Sequence, residues 1–550
     1  MTDSTREVGD DAPNWRVAAG QRRSSGSAAV RAPLLRLFRQ WPRAFLSVAV
    51  VLSLLPFTGK AFHIDDPLFV WAGQHIRTQP LNPYGFEINW YGTAMPMAEV
   101  TKNPPLTSYY IAVVTAVCGE GAMALHVAFI LLAAASVLGT YRLALRLCRS
   151  PLAAAVAVLF TPVFLISSTT VMSDVVMLAF WVWAIVLWLE GIERRSGRRL
   201  AVAALLVAVC TLSKYFGAAL IPLLLAYSIA KERRPRPSLL FLLIPLAIFG
   251  WYEWATHSLY GHGLLSDAFR YANEERAAGW ESIGLKVSGA LAFLGGCFAV
   301  VLTFVPLLYR PRVWLTGAII TVGLAIGCRY FLGMMPSYKE HPFLALFSAQ
   351  MAIMITGGAV IAALMAADLK QHANAESLLL CLIVAGTFAF ALLNWTVNGR
   401  SLLPAGPAIA ILLWRRIEAR EAQRRLAAVA VAFACAAAIS FAAAFADYRL
   451  ANSARTAAIQ IARDYAHPAT KTVWFQGHWG FQYYATAAGL AALDVKHSRI
   501  VPGDLMIMPL NNTNLFELES VDLVANVELQ PLRWLTTMSV RTGAGFYSDA

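Results

Sequence analysis

HIDDPLFVWAGQHI, residues 63–76, opens the first long polar interruption after the first hydrophobic run, and EVTKNPPLTSYY, residues 99–110, closes it. Two adjacent acids, Asp65 and Asp66, stand where the chain should leave a bilayer. Ionisable groups at a membrane face are costly to desolvate and are usually functional. Asp66 precedes Pro67, which favours an extended Asp66 and a helix beginning at the proline. That makes Asp66 the expected N-cap of a helix over 67–76 and leaves Asp65 free.

The surrounding sequence is a membrane scaffold. Of the 550 residues 58% are hydrophobic and 14% charged, against about 25% charged in soluble domains. Apolar runs recur along most of the length, which predicts an all-α polytopic membrane protein. The net charge of +13 lies in short basic clusters between apolar runs. That pattern is topological and gives no reason to expect nucleic acid as a partner. The seven cysteines fall in or at the ends of apolar segments, with no disulfide or CxxC pattern.

Arg36, Arg39 and Arg43 precede the first run, so the N-terminus is expected in the cytoplasm and both aspartates outside. Residues 1–43 read as a disordered cytoplasmic tail. The run 106–117 is short and is expected to lie along the membrane face, with 123–140 as the second crossing. Further crossings near 151–166, 175–189, 200–213, 216–230, 238–256, 285–309, 313–332, 342–366, 377–393, 401–414 and 426–446 then place every strongly basic connector inside. This gives about thirteen spans over 44–446. Residues 59–122 form the first outer loop with its juxtamembrane helices. Residues 447–550 read as a small extracytoplasmic α/β domain, with strands expected in KTVWF, DLMIMPL and VDLVANVEL.

The outer connectors include SSTTVMSD (167–174), Ser213-Lys214-Tyr215, GMMPSYKEH (333–341) and NWTVNGR (394–400). Lys214, Lys339 and Arg400 are cations on the side opposite to the positive-inside trend. A lipid phosphate is the partner such cations suit. Arg400 has no acid near it in sequence, whereas Lys339 and His341 flank Glu340. Asp174 either caps the following span or binds sugar hydroxyls. Tyr91, Trp90 and Trp71 either stack on sugar rings or form an interfacial belt. Lys102 and Asn103, before Pro104-Pro105, either approach the site or start the juxtamembrane helix. His257 and His262 read as a mobile loop rather than a metal pair.

These features come in a familiar order: an N-in span, an outer loop beginning with an acidic pair, Pro-Pro-Leu with a following Tyr, an outer Asp after VMS, and GRSLLPAGPA at an outer helix start. The chain resembles the GT-C membrane glycosyltransferases, in the branch of protein O-mannosyltransferases and lipid A aminoarabinose transferases. Where the latter carry a Glu-Lys pair before the prolines, this chain has Lys102-Asn103, with Glu99 three residues earlier. The resemblance implies inverting transfer of one sugar from a polyprenyl-phosphate donor to a lipid, glycan or protein acceptor, at the outer face of the inner (plasma) membrane. It implies Asp65 or Asp66 as catalytic base and Arg400 and Lys214 as donor-phosphate residues; Lys339 and His341, from their outer position, are further donor-phosphate candidates or else a local ion pair with Glu340. Lys102, Asn103, Asp174, Glu99 and Tyr91 are the candidate substrate-binding positions read from the residues themselves. No cofactor is required, and a divalent metal is left open.

The chemistry agrees with this residue set. A sugar hydroxyl needs a carboxylate to take its proton as the new bond forms. A phosphate-ester leaving group needs cations and no acid. The competing reading is a transporter or lipid flippase, which would show internal repeats and mid-membrane polar residues. Here the polar residues cluster at the outer ends. A receptor or assembly factor would need neither the acidic pair nor the outward cations.

Overall fold

A computed structural model describes residues 40–278, 283–335, 338, 343–394, 396–466, 471–519, 521–529, 532, 534–540 and 544–547. The expected tail, 1–43, falls almost wholly outside them, as do Lys339 and His341. The chain is a helical, multi-span membrane protein with little sheet, and residues 46–550 form one compact unit.

Seven helices are long and apolar enough to cross a bilayer among the described residues. They are Ala122–Leu147, Ser173–Arg194, Pro237–Tyr260, Pro311–Met334, Leu344–His372, Ala375–Leu393 and Leu426–Tyr465. The expected span over 151–166 is two helices, Pro151–Leu159 and Pro162–Ser168, bent by 63°. Pro162 lacks the amide that would continue the first helix, so the break falls just before it. Counted as one, this pair is an eighth candidate; the remaining expected crossings are shorter or interrupted helices. Near 401–414, for example, a 3-10 turn over Arg400–Ala405 leads into the helix Gly406–Ala419.

The basic connectors meet one another at one end of the bundle. Arg142 and Arg199 share Glu190, at 2.7 and 2.5 Å. Arg146 pairs with Glu193, Lys231 with Glu376 at 2.6 Å and Arg415 with Asp368 at 3.1 Å. The first loop lies at the other end. His126, at the start of the helix whose far turn carries Arg142, touches the Lys60 carbonyl at 3.0 Å. That helix has 26 residues, about 39 Å at 1.5 Å per residue.

Within the loop, helix Asp66–Ile76 packs on helix Leu106–Cys118. The latter has 13 residues, too few to cross. The two approach closely at Gly73, where a Cβ would sit 2.7 Å from the Ile111 side chain. A hairpin, Glu87–Asn89 with Ala94–Pro96, follows the first of these helices.

Helix Leu426–Tyr465 runs without a break through residue 447 and has 40 residues. Beyond it, Val473–Phe475 is the central strand of a three-stranded parallel sheet, between Ala491–Ala492 and Leu505–Ile507. Helix Trp479–Ala487 docks on the first loop. A Cβ on Gly480 would lie 2.0 Å from the Phe62 carbonyl, so only glycine fits that contact. The strand expected in VDLVANVEL does not form; residues 521–529 have no strand neighbour, and Leu523 is 86% exposed.

Candidate active site

The turn that presents Asp65 is built by Asp66. The Asp66 amide donates to the His63 carbonyl (3.1 Å), and the His63 amide donates back to Asp66 Oδ2 (2.8 Å). Ile64, between them, has φ of +49°, a left-handed conformation unfavourable for a β-branched side chain. Asp66 Oδ1 accepts from the Val171 amide at 3.0 Å, which ties the turn to the VMSD segment. The helix begins at Asp66, one residue earlier than expected, with Asp65 at the cap position and no cap bond from its side chain. Asp66 therefore does not cap: it is fully buried, and its oxygens serve the turn and Val171 instead.

Burial pushes the Asp66 carboxyl up to about 7, against the opposing pull of Lys60 and of the two amides. Its unfolded value is near 4. Between these values the folded chain holds a proton that the unfolded chain releases. This residue's contribution therefore becomes less favourable as pH rises from about 4 to 7, and is level above that. Melting temperature in detergent across pH 4–8 should show a decline in the parent that Asp66→Asn reduces. An identical pH profile would refute the assignment. His63, also buried, is lowered to about 4 and is neutral at neutral pH.

Asp65 points the other way. Its Oδ2 accepts from Arg400 Nη2 at 3.1 Å, with the two side chains 28% and 16% exposed. Arg400, expected to have no neutralising acid, thus has one that comes from the first loop. Its Nη1 rests on the Met172 sulfur, and its Nε has no partner among the described residues. Two residues past Met172, Asp174 accepts from Lys214 Nζ at 2.5 Å. Asp174 also lies within electrostatic reach of Arg400. Asp65, Arg400, Asp174 and Lys214 thus alternate in charge. The segment Val171–Asp174 is the hub, touching Asp66, Arg400 and Lys214 in turn. Asp174 is accordingly an ion-pair partner of Lys214 at the start of its helix.

On the loop side Tyr91 hydrogen-bonds Tyr271, and both feel the Asp65 charge. Tyr271 belongs to helix Leu264–Ala278, which Lys102 anchors by a 2.5 Å bond to Asp267 while lying 5.1 Å from the Tyr271 ring centroid. His262 binds the Tyr260 carbonyl just before this helix. Glu99 is exposed and lends its carbonyl to Lys102 (2.8 Å). Asn103 offers its carbonyl to the Tyr84 hydroxyl at 2.9 Å. The structure therefore gathers Asp65, Arg400, Asp174, Lys214 and Tyr91, sets Lys102 beside them, and assigns Asn103 a bond that holds the loop. Trp90 is buried and stacks on His478 at 4.7 Å, and Trp71 leans on Tyr483 at 5.7 Å.

One group escaped the sequence reading. Lys60 and Asp447, both fully buried, form an ion pair below the site. Asp447 also accepts from the hydroxyls of Thr537 (2.6 Å) and Tyr547 (2.8 Å). In sequence Lys60 simply follows the first apolar run by a few residues. Only the adjacency of a lysine and HIDD offered any hint.

Residues 102–254 match the family described as dolichyl-phosphate-mannose-protein mannosyltransferase, in agreement with the resemblance drawn from the ordered motifs. No curated protein matches the chain. Among solved structures it is similar to the archaeal oligosaccharyltransferase AglB from Archaeoglobus fulgidus, solved with an inhibitory peptide and a dolichol-phosphate. Identity there is 12% and the TM-score 0.49, over 83% of this chain and 64% of that one. The chain thus spans just under two thirds of that relative's length. It is also similar to ArnT from Cupriavidus metallidurans bound to undecaprenyl phosphate, with 15% identity and a TM-score of 0.41, over 84% of this chain and 90% of that one. A third is the arabinofuranosyltransferase AftD from Mycobacteria, at 16% identity and a TM-score of 0.37, over 79% of this chain and 29% of that one.

Proposed function

We propose that this chain, which resembles the dolichyl-phosphate-mannose-protein mannosyltransferase family through residues 102–254, is an inverting glycosyltransferase. It takes one sugar from a polyprenyl-phosphate donor and delivers it to a lipid, glycan or protein hydroxyl. The observation that carries this reading is the Asp65–Arg400 pair, a carboxylate and a guanidinium 3.1 Å apart at the first-loop end of the bundle. One acid and nearby cations are the groups the reaction needs. Asp65 takes the proton of the acceptor hydroxyl while the anomeric carbon is attacked from the face opposite the phosphate. Arg400 and Lys214 hold the departing phosphate, whose charge they neutralise. In the protein without donor their counter-charges are Asp65 and Asp174. An arriving phosphate competes for both cations, which frees the Asp65 carboxylate to act as base. Tyr91 and Tyr271 border the place where sugar would lie.

The basic connectors that pair at the opposite end support a cytoplasmic placement of that end. The site and the C-terminal sheet then lie on the outer face of the inner membrane. The test is transfer of labelled sugar from a panel of polyprenyl-phosphate sugars in membranes, with the anomeric configuration of the product read by NMR. Inverted product supports the reading. No transfer from any donor, or retained configuration, overturns it. Arg400→Lys is expected to lower kcat/KM for the donor by about 10²- to 10³-fold, because a point charge cannot replace the planar fork. Steady-state kinetics with the donor varied would check this.

A further inference from the structure

The end of the chain returns to Arg400. Met538–Ser539 pairs antiparallel with Ala544–Gly545, and the next residue is bonded on both sides. The Phe546 carbonyl accepts from the Gly399 amide at 2.8 Å, and the Phe546 amide donates to the Thr537 carbonyl at 2.6 Å. Tyr547 then places its ring centroid 5.5 Å from Arg400 Cζ and its hydroxyl 2.8 Å from Asp447. The ring is buried, with His63 edge-on at 5.3 Å. Asp447 is fixed in turn by Lys60 and Thr537.

This arrangement answers a need that the ion pair leaves open. Arginine has a long, flexible stem, and the Asp65 bond is the one a donor phosphate would displace. An aromatic contact made through the ring's π face does not compete with phosphate, because the guanidinium's in-plane N–H edges remain free to donate. Arg400 Nε is such an edge, and it has no partner among the described residues.

We propose that Tyr547 is a positioning residue: its ring holds the Arg400 guanidinium for a polyprenyl phosphate, and the Lys60–Asp447 pair holds the ring. This rests on the reading of Arg400 as a phosphate-binding group. The test is titration of the full-length protein in detergent with undecaprenyl phosphate, followed by tryptophan fluorescence. Each variant's melting temperature is recorded alongside.

Tyr547→Leu is expected to bind roughly tenfold more weakly, the size of a desolvated cation–π contact. Tyr547→Phe, which keeps the ring and loses its bond to Asp447, should fall between Tyr547→Leu and the parent, about threefold weaker than the parent. If Tyr547→Leu does not fold, Thr537→Val loosens the Asp447 anchor without touching Arg400 and should weaken binding about threefold. Parent-like binding by Tyr547→Leu, or by Thr537→Val in its stead, overturns the proposal when Arg400→Ala binds more weakly. An equal loss in Tyr547→Phe and Tyr547→Leu also overturns it. Indifference to Arg400→Ala refutes the phosphate reading itself. Binding requires no turnover, so a parent that binds through Arg400 yet transfers no sugar would sink the transferase reading alone.

Discussion

Asp65→Asn is expected to lower kcat/KM for sugar transfer by about 10²- to 10⁴-fold, the usual contribution of a positioned general base. The amide keeps the shape of the carboxylate and cannot accept the acceptor's proton. A loss of transfer alone would not separate a base from a mere partner of Arg400. Donor binding does. Removing the Asp65 charge releases Arg400, whose bond to Asp65 is the one a phosphate must displace. Undecaprenyl phosphate should therefore bind Asp65→Asn at least as tightly as the parent, while transfer collapses. Membrane assays with labelled donor and the detergent titration measure the two quantities separately. Transfer within about threefold of the parent would remove Asp65 from the base role, since proton transfer is worth far more than that. Asp66→Asn is the companion control. Its carboxyl is fully buried and serves the turn, so its signature is the altered pH profile of stability rather than a loss confined to turnover.

What the sequence disclosed depends on how local the cause was. The helix after the aspartates is legible because Pro67 places its start to within one residue and the next residues are apolar. The bundle was legible because insertion reads apolar length and nearby Lys and Arg, and both are local. Arg400 stood out because NWTVNGR carries no acid. Its real partner is 335 residues away, and no pattern in either segment announces the other. Asp66 reads as a cap in sequence because a cap is what an acid before a proline does in isolation. Its second acceptor bond goes to Val171, 105 residues on, and that tertiary bond overrides the local preference. VDLVANVEL has strand composition and nothing to pair with. A strand is a property of two segments, and composition describes one. The Lys60–Asp447 pair was hidden for a similar reason. Each residue flanks a predicted span, where a charge ordinarily reaches for water. Only the packed structure shows that neither does.

Lys60→Met should destabilise the chain by about 3–5 kcal/mol, because it strands a buried carboxylate. The Asp447 charge would keep hydroxyl donors from Thr537 and Tyr547 and lose Lys60, leaving His63, 4.0 Å away and neutral at neutral pH, as its remaining basic neighbour. Two polar hydrogen bonds do not replace a neutralising charge inside protein. The double variant Lys60→Met/Asp447→Leu removes both charges and should recover most of the loss, since paired burial of ions contributes little net stability. Melting temperature in detergent reads both: a fall of several degrees for the single variant and partial return for the double. Additive losses would show that the two residues act independently and that the pair is not the unit holding this region. Activity adds a second reading. The double variant leaves the Tyr547 ring in place without its anchor at Asp447. If the anchor matters, recovered stability should come with donor binding that remains weaker than in the parent. If stability and donor binding recover together, the hydroxyl–carboxylate bond under Arg400 is a packing detail, and Phe546 and Gly399 alone hold the end of the chain against the site.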